Sequence, residues 1–314
     1  MNIIHLKYAV EVEKTGSITK AADHLFMGQP NLSKAIRELE KSIGITIFKR
    51  TSKGVVPTRE GKEFLSYAKS ILMQIEQVES LYKPNDEQKI CFSISVPRAS
   101  YITYAFTRFM QTIDLNQSIK MNFKETNSME AIGNILEYDY HLGIIRYPVV
   151  YEKYFLKLLA DKELSAKTIW EFEYLILLSR EHPLVQKETL SLEDLNPYIE
   201  LVHGDLTIPH LGENHTKKEL PVEHTQKHIL LYERGSQFDL LHEVPSTYMW
   251  VSPLPEELLE RYGLIQRRCH LKEHKNKDVL IHPRHYKLSE VEESFLSSLN
   301  QVKINIVEIF NKIH

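Results

Sequence analysis

The chain has 314 residues, 42% of them hydrophobic and 26% charged, with a formal net charge of −3. That length allows two domains with a sizeable core. No stretch approaches the ~20 consecutive apolar residues a membrane helix needs, and an acidic average argues against a chain that binds polyanions over its whole surface. The opening MNIIHLKYAVEVEK lacks a basic segment, an apolar run and a small-residue cleavage site, so a cytoplasmic protein is expected. Cys91 and Cys269 are the only cysteines, which fits a reducing compartment.

The average conceals an asymmetry. Residues 1–62 hold eleven Lys and Arg against six Asp and Glu, a net +5, which leaves −8 on the remainder. A basic head on an acidic body points to a polyanion met by the head alone.

In the head, Ile18, Ala22 and Leu25 recur at helical spacing, Gly28 interrupts, and Leu32, Ala35, Ile36 and Leu39 mark the buried face of a second helix. Alanines at 21, 22 and 35 allow close approach of the two axes, and Phe26-Met27-Gly28 is short enough to force a sharp angle. This is a helix-turn-helix pattern. The opposite face of the second helix carries Gln29, Pro30, Ser33, Lys34 and Arg37. Proline suits a first helical turn, the free N–H groups there attract phosphate, and Gln, Lys and Arg can read base edges. An outward face can also be merely solvated, but this helix follows a tight partner and precedes a hairpin. That hairpin, ITIFKRTSKGVVPT over 45–58, turns at Thr51-Ser52-Lys53-Gly54 and clusters Lys49, Arg50 and Lys53 at its tip. A basic hairpin beside a recognition helix is a wing placed for phosphates or the minor groove.

A long helix follows, with Thr58 as expected N-cap and Glu60 in its first turn. Phe64, Ala68, Ile71, Ile75, Val78 and Tyr82 step by four and three, widened by Leu65 and Leu72, as in a heptad seam. The seam fits either packing on its own domain or a dimerising linker. The Lys83-Pro84-Asn85-Asp86 break favours the linker, and a dimer would read a palindrome.

Residues 1–82 closely resemble the LysR-type transcriptional regulators. The run SITKAADHLFMGQPNLSKAIRELEKSIGITIFKRTSKGVVPTREG carries the resemblance, with its Ala-Ala pair, Gln-Pro-x-x-Ser, Leu-Glu, Gly-(x)3-Phe-x-Arg and Pro-Thr-x-x-Gly. Gly28 departs from the usual Ser or Thr before Gln-Pro, which removes a hydroxyl–phosphate contact but still caps a helix. The resemblance implies an effector domain of two α/β subdomains, like periplasmic binding proteins, with a small molecule in the cleft. It implies a winged helix-turn-helix at 1–58, a linker helix at 59–84 and an effector domain at 85–314. Subdomain I takes 90–163 and 270–314, and subdomain II takes 164–269.

The body reads compatibly. Strands are expected at 90–96, 119–125, 141–147, 174–179, 198–203, 228–233, 247–252 and 278–283, with helices between several of them and a final helix from Ser289 onward. Such alternation predicts α/β with largely parallel sheets. Ligands in such sheets sit beyond the strands' carboxyl ends. Ser100, Thr126, Ser128, Arg146, Asp205 and Thr247 lie at strand ends or loop–strand junctions and are the candidate effector contacts. Hydroxyls before helices can hold an anion together with backbone N–H groups, and Arg146 can pair a carboxylate. Each also has an ordinary alternative, a helix cap or a salt bridge.

Three further readings are set aside. Histidines 203, 210, 215, 224 and 228 crowd one region, with 224 and 228 at zinc-like i, i+4 spacing, but no cysteine lies near and the rest is irregular. Cys91 and Cys269 read as packing residues rather than a redox pair. No nucleophile elbow, Walker loop or glycine-rich fingerprint is present, so no catalytic residue, cofactor or metal is expected. The function expected is a cytoplasmic, sequence-specific regulator of double-stranded DNA bearing an interrupted palindrome. It would be a dimer or dimer of dimers whose small-molecule effector is polar or anionic. The competing classes are an enzyme with an appended winged helix and a nucleoid-type structural DNA binder.

Overall fold

In the computed structural model, residues 2–51, 54–82, 89–137, 140–204, 227–269, 275–284 and 286–313 are described. Met1–Lys89 with Pro283–Ser289 form one compact unit, and Ile90–His282 with Glu290–His314 form another. Among the described residues no helix is long and apolar enough to cross a membrane.

The apolar stripe of the second helix organises the first unit. Helices α1 (Ile3–Thr15), α2 (Ile18–His24) and α3 (Gln29–Ile43) precede the hairpin β1 (Phe48–Thr51) and β2 (Gly54–Pro57), and α4 (Arg59–Tyr82) follows. Leu32, Ile36 and Leu39 from α3 pack with Leu6, Ala9 and Val12 of α1 and Ala21 and Ala22 of α2 in one core. Removing a side chain such as Leu32 from this core costs about 2–5 kcal/mol, by lost transfer energy and a residual cavity. Three of the four helix starts are capped by side chains: Asn2 Oδ1 accepts from Ile4 N at 3.0 Å, Ser17 Oγ from Lys20 N at 3.4 Å, and Thr58 Oγ1 from Gly61 N at 2.8 Å. Gly61 is needed for a close approach, since a Cβ there would lie 2.0 Å from Ile47 O.

The first half of α4 belongs to this core. Leu65 and Ala68 are buried in it, and Phe64, Ile71 and Leu72 pack against it. The expected boundary at 58 therefore does not separate α4 from the head.

The second unit holds two five-stranded sheets. The first has the order β4 (Ser118–Thr126), β3 (Lys89–Pro97), β5 (Leu142–Pro148), β12 (Lys275–Pro283), β6 (Leu164–Glu173). The second has the order β11 (Leu264–Arg267), β7 (Leu175–Ser179), β10 (Thr247–Val251), β8 (Ile199–His203), β9 (His228–Leu231). Helices α5 (Ser100–Met110), α6 (Ser128–Leu136) and α7 (Glu152–Asp161) serve the first sheet, and the last helix, Glu290–Ile313, packs along α5. Phe92, Phe106, Phe109 and Phe295 fill the space there, with ring centroids 5.2–6.3 Å apart.

The sheets are mixed rather than largely parallel. β3 with β5, β10 with β8 and β8 with β9 run parallel, whereas β12 with β5, β10 with β7 and β11 with β7 run antiparallel. The reason is topological. The chain leaves the first sheet through β6 directly into β7 and returns through β12, so these crossing strands enter sheets against the direction of the βαβ strands. β6 and β11 went unrecognised in the sequence because LSAKTIWEFE and LIQR lack a continuous apolar run.

Candidate functional site

On the head, α3 presents two chemically distinct faces. Leu32, Ala35, Ile36 and Leu39 are buried, while Pro30, Lys34 and Arg37 are exposed and Gln29 and Ser33 are half-buried. Gly28 is the N-cap, in extended backbone and without a side-chain cap. The first-turn N–H groups are thus left for an external acceptor. Arg37 Nε donates to Ser33 O at 3.2 Å, and Lys34 Nζ lies 3.9 Å from Glu38, a solvated i, i+4 pair.

The wing is held to this helix by the acid of the Leu-Glu pair, to which the sequence assigned no role. Glu40 Oε1 accepts from Ile47 N at 2.7 Å and Phe48 N at 3.1 Å, which ties the last turns of α3 to the start of β1. On the other side Val55 N donates to Gly16 O at 2.8 Å, and a Cβ on Gly54 (φ +121°) would sit 2.6 Å from that oxygen. Lys49 and Arg50 project from β1 and are exposed. Ser52 and Lys53 lie outside the described residues.

The expected dimer seam is divided by the fold. Ala68 is 1% exposed within the head's own core, and Phe64 and Ile71 are half-buried against it. These three are therefore engaged within one chain, because the seam's period also matches the stripe that packs on α1. Ile75 is half-buried and Val78 is 54% exposed. The break at Lys83-Pro84-Asn85-Asp86 lies outside the described residues.

In the second unit a cavity of about 150 Å³ lies at the strand ends of the two sheets. Ser100, Thr126, Ser128 and Arg146 line it from the first subdomain, and Glu200, Gln237 and Ser252 from the second. Met129, Phe155, Met249 and Trp250 supply apolar wall. Four of the six expected effector residues thus meet at one place. Asp205 lies outside the described residues, as do His210, His215 and His224. Thr247 does not line the cavity. It is the first residue of β10, buried, with Oγ1 donating to Val244 O at 2.8 Å, whereas the cavity lies at the strand's other end, by Met249–Ser252.

The four that do meet are already engaged. Ser128 Oγ donates to Arg146 O at 2.7 Å and accepts from Arg146 N at 3.0 Å. Thr126 Oγ1 donates to Glu130, whose other oxygen is 2.6 Å from Lys124 Nζ. Arg146 donates from Nε and Nη2 to the two oxygens of Asp278, each at 2.7 Å, with Tyr101 OH donating to the same carboxylate at 2.5 Å. Its guanidinium also stands 4.7 Å from the Phe172 ring centre. Burial, the largest single influence, lowers the Arg146 pKa, but the Asp278 charge and hydrogen bonds together with Tyr174 and Tyr101 outweigh it and the pKa rises. Burial first, and then Asp278, push Tyr101 well above its ordinary value. Arg146 is therefore a neutralised structural cation rather than an open seat for a carboxylate. Of the two helix starts, α6 is capped by Asn127 Oδ1, which accepts from Glu130 N at 2.9 Å, while α5, preceded by Ala99, has no side-chain cap.

Ser100 is held from the other subdomain. Arg234 Nη2 donates to its Oγ at 2.7 Å. Sequence reasoning missed Arg234, which stands in the loop YERGS with no motif to mark it. It also missed Asp278, Gln237 and Ser252. Gln237 is 3% exposed, and Ser252 Oγ is buried without a hydrogen-bond partner among the described residues. Among the described residues no group of His, Cys, Asp or Glu is placed to hold a metal ion. Cys91 is exposed rather than packed inside, and burial pushes the Cys269 thiol up to about 11, which disfavours its reactive thiolate.

The family model described as bacterial regulatory helix-turn-helix protein, lysR family, matches residues 3–62, and the LysR substrate binding domain model matches residues 92–222. The chain belongs to the LysR family. It is 30% identical over 202 residues to the HTH-type transcriptional regulator AlsR of Bacillus subtilis, a stretch covering 62% of each chain. It is 42% identical over 83 residues to the HTH-type transcriptional regulator BenM of Acinetobacter baylyi, covering 26% of this chain and 27% of that one. The matches thus span less than two thirds of these relatives' own length. Among solved structures, ArgP from Mycobacterium tuberculosis superposes with TM-score 0.60 at 14% identity, over 95% of this LysR-family chain and 96% of its own. Full-length LysG from Corynebacterium glutamicum, with bound effector Arg, superposes with TM-score 0.59 at 12% identity, over 97% and 98%. At such identity these neighbours share the fold.

Proposed function

We propose that this LysR-family chain is a cytoplasmic transcriptional regulator that binds specific double-stranded DNA through α3 and the wing and responds to a small molecule in the cavity of its second unit. The observation that carries the reading is the division of α3. One face is consumed by the head's core, and the other offers Gln29, Pro30, Ser33, Lys34 and Arg37 beside a basic hairpin. Gln29 and Arg37 supply base-edge chemistry, and Lys34, Arg50 and Lys53 supply phosphate chemistry. The Gly28 cap leaves backbone N–H groups for a phosphate at the same helix end. Two copies, joined through the outer part of α4 and further contacts, would place two such helices on an interrupted palindrome.

The effector half rests on the cavity. Its lining from both subdomains means that a ligand contacting both favours one mutual arrangement of them, and so shifts a conformational equilibrium by its differential affinity. Ser100, Thr126, Ser128 and Arg146 shape the first side. A binder of DNA without effector response, the nucleoid-type alternative, would show no large gap between specific and random DNA.

Footprinting of the purified chain on the DNA upstream of its own coding region tests the reading. A protected interrupted palindrome whose footprint changes when a cavity ligand is added is the expected result. Uniform coverage of any sequence would overturn it.

A further inference from the structure

In the turn that joins α2 to α3, the residues on either side of Phe26 are built into the fold. Leu25 N donates to Ala21 O and Met27 N to Ala22 O, each at 3.0 Å, and both side chains pack against the head's core. Phe26 N donates to Asp23 O at 3.2 Å, but its ring is 98% exposed, the most exposed large apolar side chain among the described residues. Its backbone is left-handed, with φ +51°. That state is rare for a bulky residue, whereas glycine adopts it without penalty. Phe26 is thus disfavoured twice, by backbone strain and by a hydrated ring, and gains no packing in return.

We propose that Phe26 is a base-reading residue of the DNA interface, whose ring covers the 5-methyl group of a thymine at the edge of the major groove entered by α3. The inference rests on the reading of α3 as the helix that meets DNA, and adds to it a contact of a different chemistry.

Position and chemistry both support it. Phe26 lies shortly before the N-cap Gly28, at the end of α3 that carries Gln29, exposed Pro30 and N–H groups without a side-chain cap. Those N–H groups draw the helix start towards a phosphate, which brings the turn to the rim of the groove. A phenyl ring has no charge and no hydrogen-bond donor, so a phosphate gives it nothing. The thymine methyl is the apolar group that a base pair displays in the major groove, and contact with it separates thymine from cytosine. Placing the ring against that methyl removes apolar surface of both from water, which offsets the exposure of the ring in the free protein. The polar residues of the same face cannot do this, because Gln29, Lys34 and Arg37 read hydrogen-bonding edges or phosphates.

The experiment first selects, from a random duplex pool, the DNA that the full chain binds best. Each thymine of that duplex is then replaced in turn by uracil, which lacks only the 5-methyl group. Fluorescence anisotropy gives the affinities of the wild type, Phe26→Leu and Phe26→Gly. In the wild type, replacement of one thymine per half-site is expected to weaken binding about four-fold, the value of one buried methyl. Phe26→Gly is expected to bind the thymine duplex at least ten-fold more weakly and to hold its thymine and uracil forms alike. Phe26→Leu, which keeps an apolar side chain, is expected to retain part of the methyl preference. The melting temperature of Phe26→Gly is expected to be no lower than that of the wild type, since glycine relieves the left-handed backbone. A lower one would show that the ring serves the fold and would overturn the proposal. Wild-type affinity in Phe26→Gly, or a uracil effect that persists in it, would also overturn the proposal. A Phe26→Gly loss of equal size on every duplex, with no uracil effect in the wild type, would place the ring on the sugars and overturn the thymine contact. A pool that yields no duplex bound better than random DNA would overturn the sequence-specific reading of α3 itself.

Discussion

Arg146 and Asp278 face each other across β5 and β12 as register partners, and both oxygens of the carboxylate accept from the guanidinium at 2.7 Å. The pair explains how an arginine at a strand end is present in the cavity without being its anion receptor. With Asp278 wholly buried, its removal leaves an uncompensated cation in the interior. Asp278→Asn is expected to cost about 3–5 kcal/mol of stability, read as a lower urea midpoint with an unchanged slope. A loss below about 1 kcal/mol, the level of a surface pair, would show that water reaches the site.

Gln29 opens α3 on the outward face. Gln29→Ala is expected to lose about 1–3 kcal/mol of discrimination at particular base pairs, measured by competition between operator and single-base variants. Weakening of equal size on every sequence would class Gln29 as a phosphate contact.

Arg50, exposed on β1, and Lys53 are expected to act through charge alone. Arg50→Ala and Lys53→Ala should each weaken specific and random DNA alike and reduce the slope of log K against log salt by about one. An unchanged slope removes that residue from the contact set.

For α4 the fold separates two outcomes that the heptad alone leaves mixed. Ile71→Asp puts a charge against the head's core and is expected to destabilise the head by several kcal/mol. Ile75→Asp with Val78→Asp, farther along the helix, is expected to leave the thermal melt of the head near wild type and separate dimers in light scattering. A dimer that survives the double substitution would mean that another interface dominates.

His182 gives a pH dependence. It is 2% exposed, its Nδ1 accepts from Leu184 N at 3.0 Å, and burial lowers its pKa to about 4. Protonation needs that same nitrogen. Since the unfolded chain takes up the proton near pH 6.5 and the folded one only near 4, stability is full above about 6.5 and is lost as pH falls toward 4. His182→Gln is expected to flatten the midpoint-versus-pH curve between about pH 4 and 6.5. An equally steep curve in the variant would assign the dependence to carboxylates.

The head was legible because its signals are local. A 3.6-residue apolar period, a Gly28 break, turn residues and a Pro-Thr cap each act within a few positions, and they placed α2, α3 and the wing. The heptad of α4 was legible as a stripe but not as a destination, because packing on α1 and packing on a second copy use the same period. In the body, strand ends located Ser100, Thr126, Ser128 and Arg146 at one cavity, since the carboxyl ends of the parallel strands share a side of the sheet. What each side chain does there was decided by residues far along the chain. Asp278 lies 132 positions from Arg146, and Arg234 lies 134 from Ser100. The amino-acid sequence alone determined the helix-turn-helix head, its basic outer face and the α/β body. Only the tertiary structure decided that Arg146 is neutralised and that Arg234 crosses the cleft. The physical reason is that charge pairing between distant residues has no period and leaves no pattern along the chain.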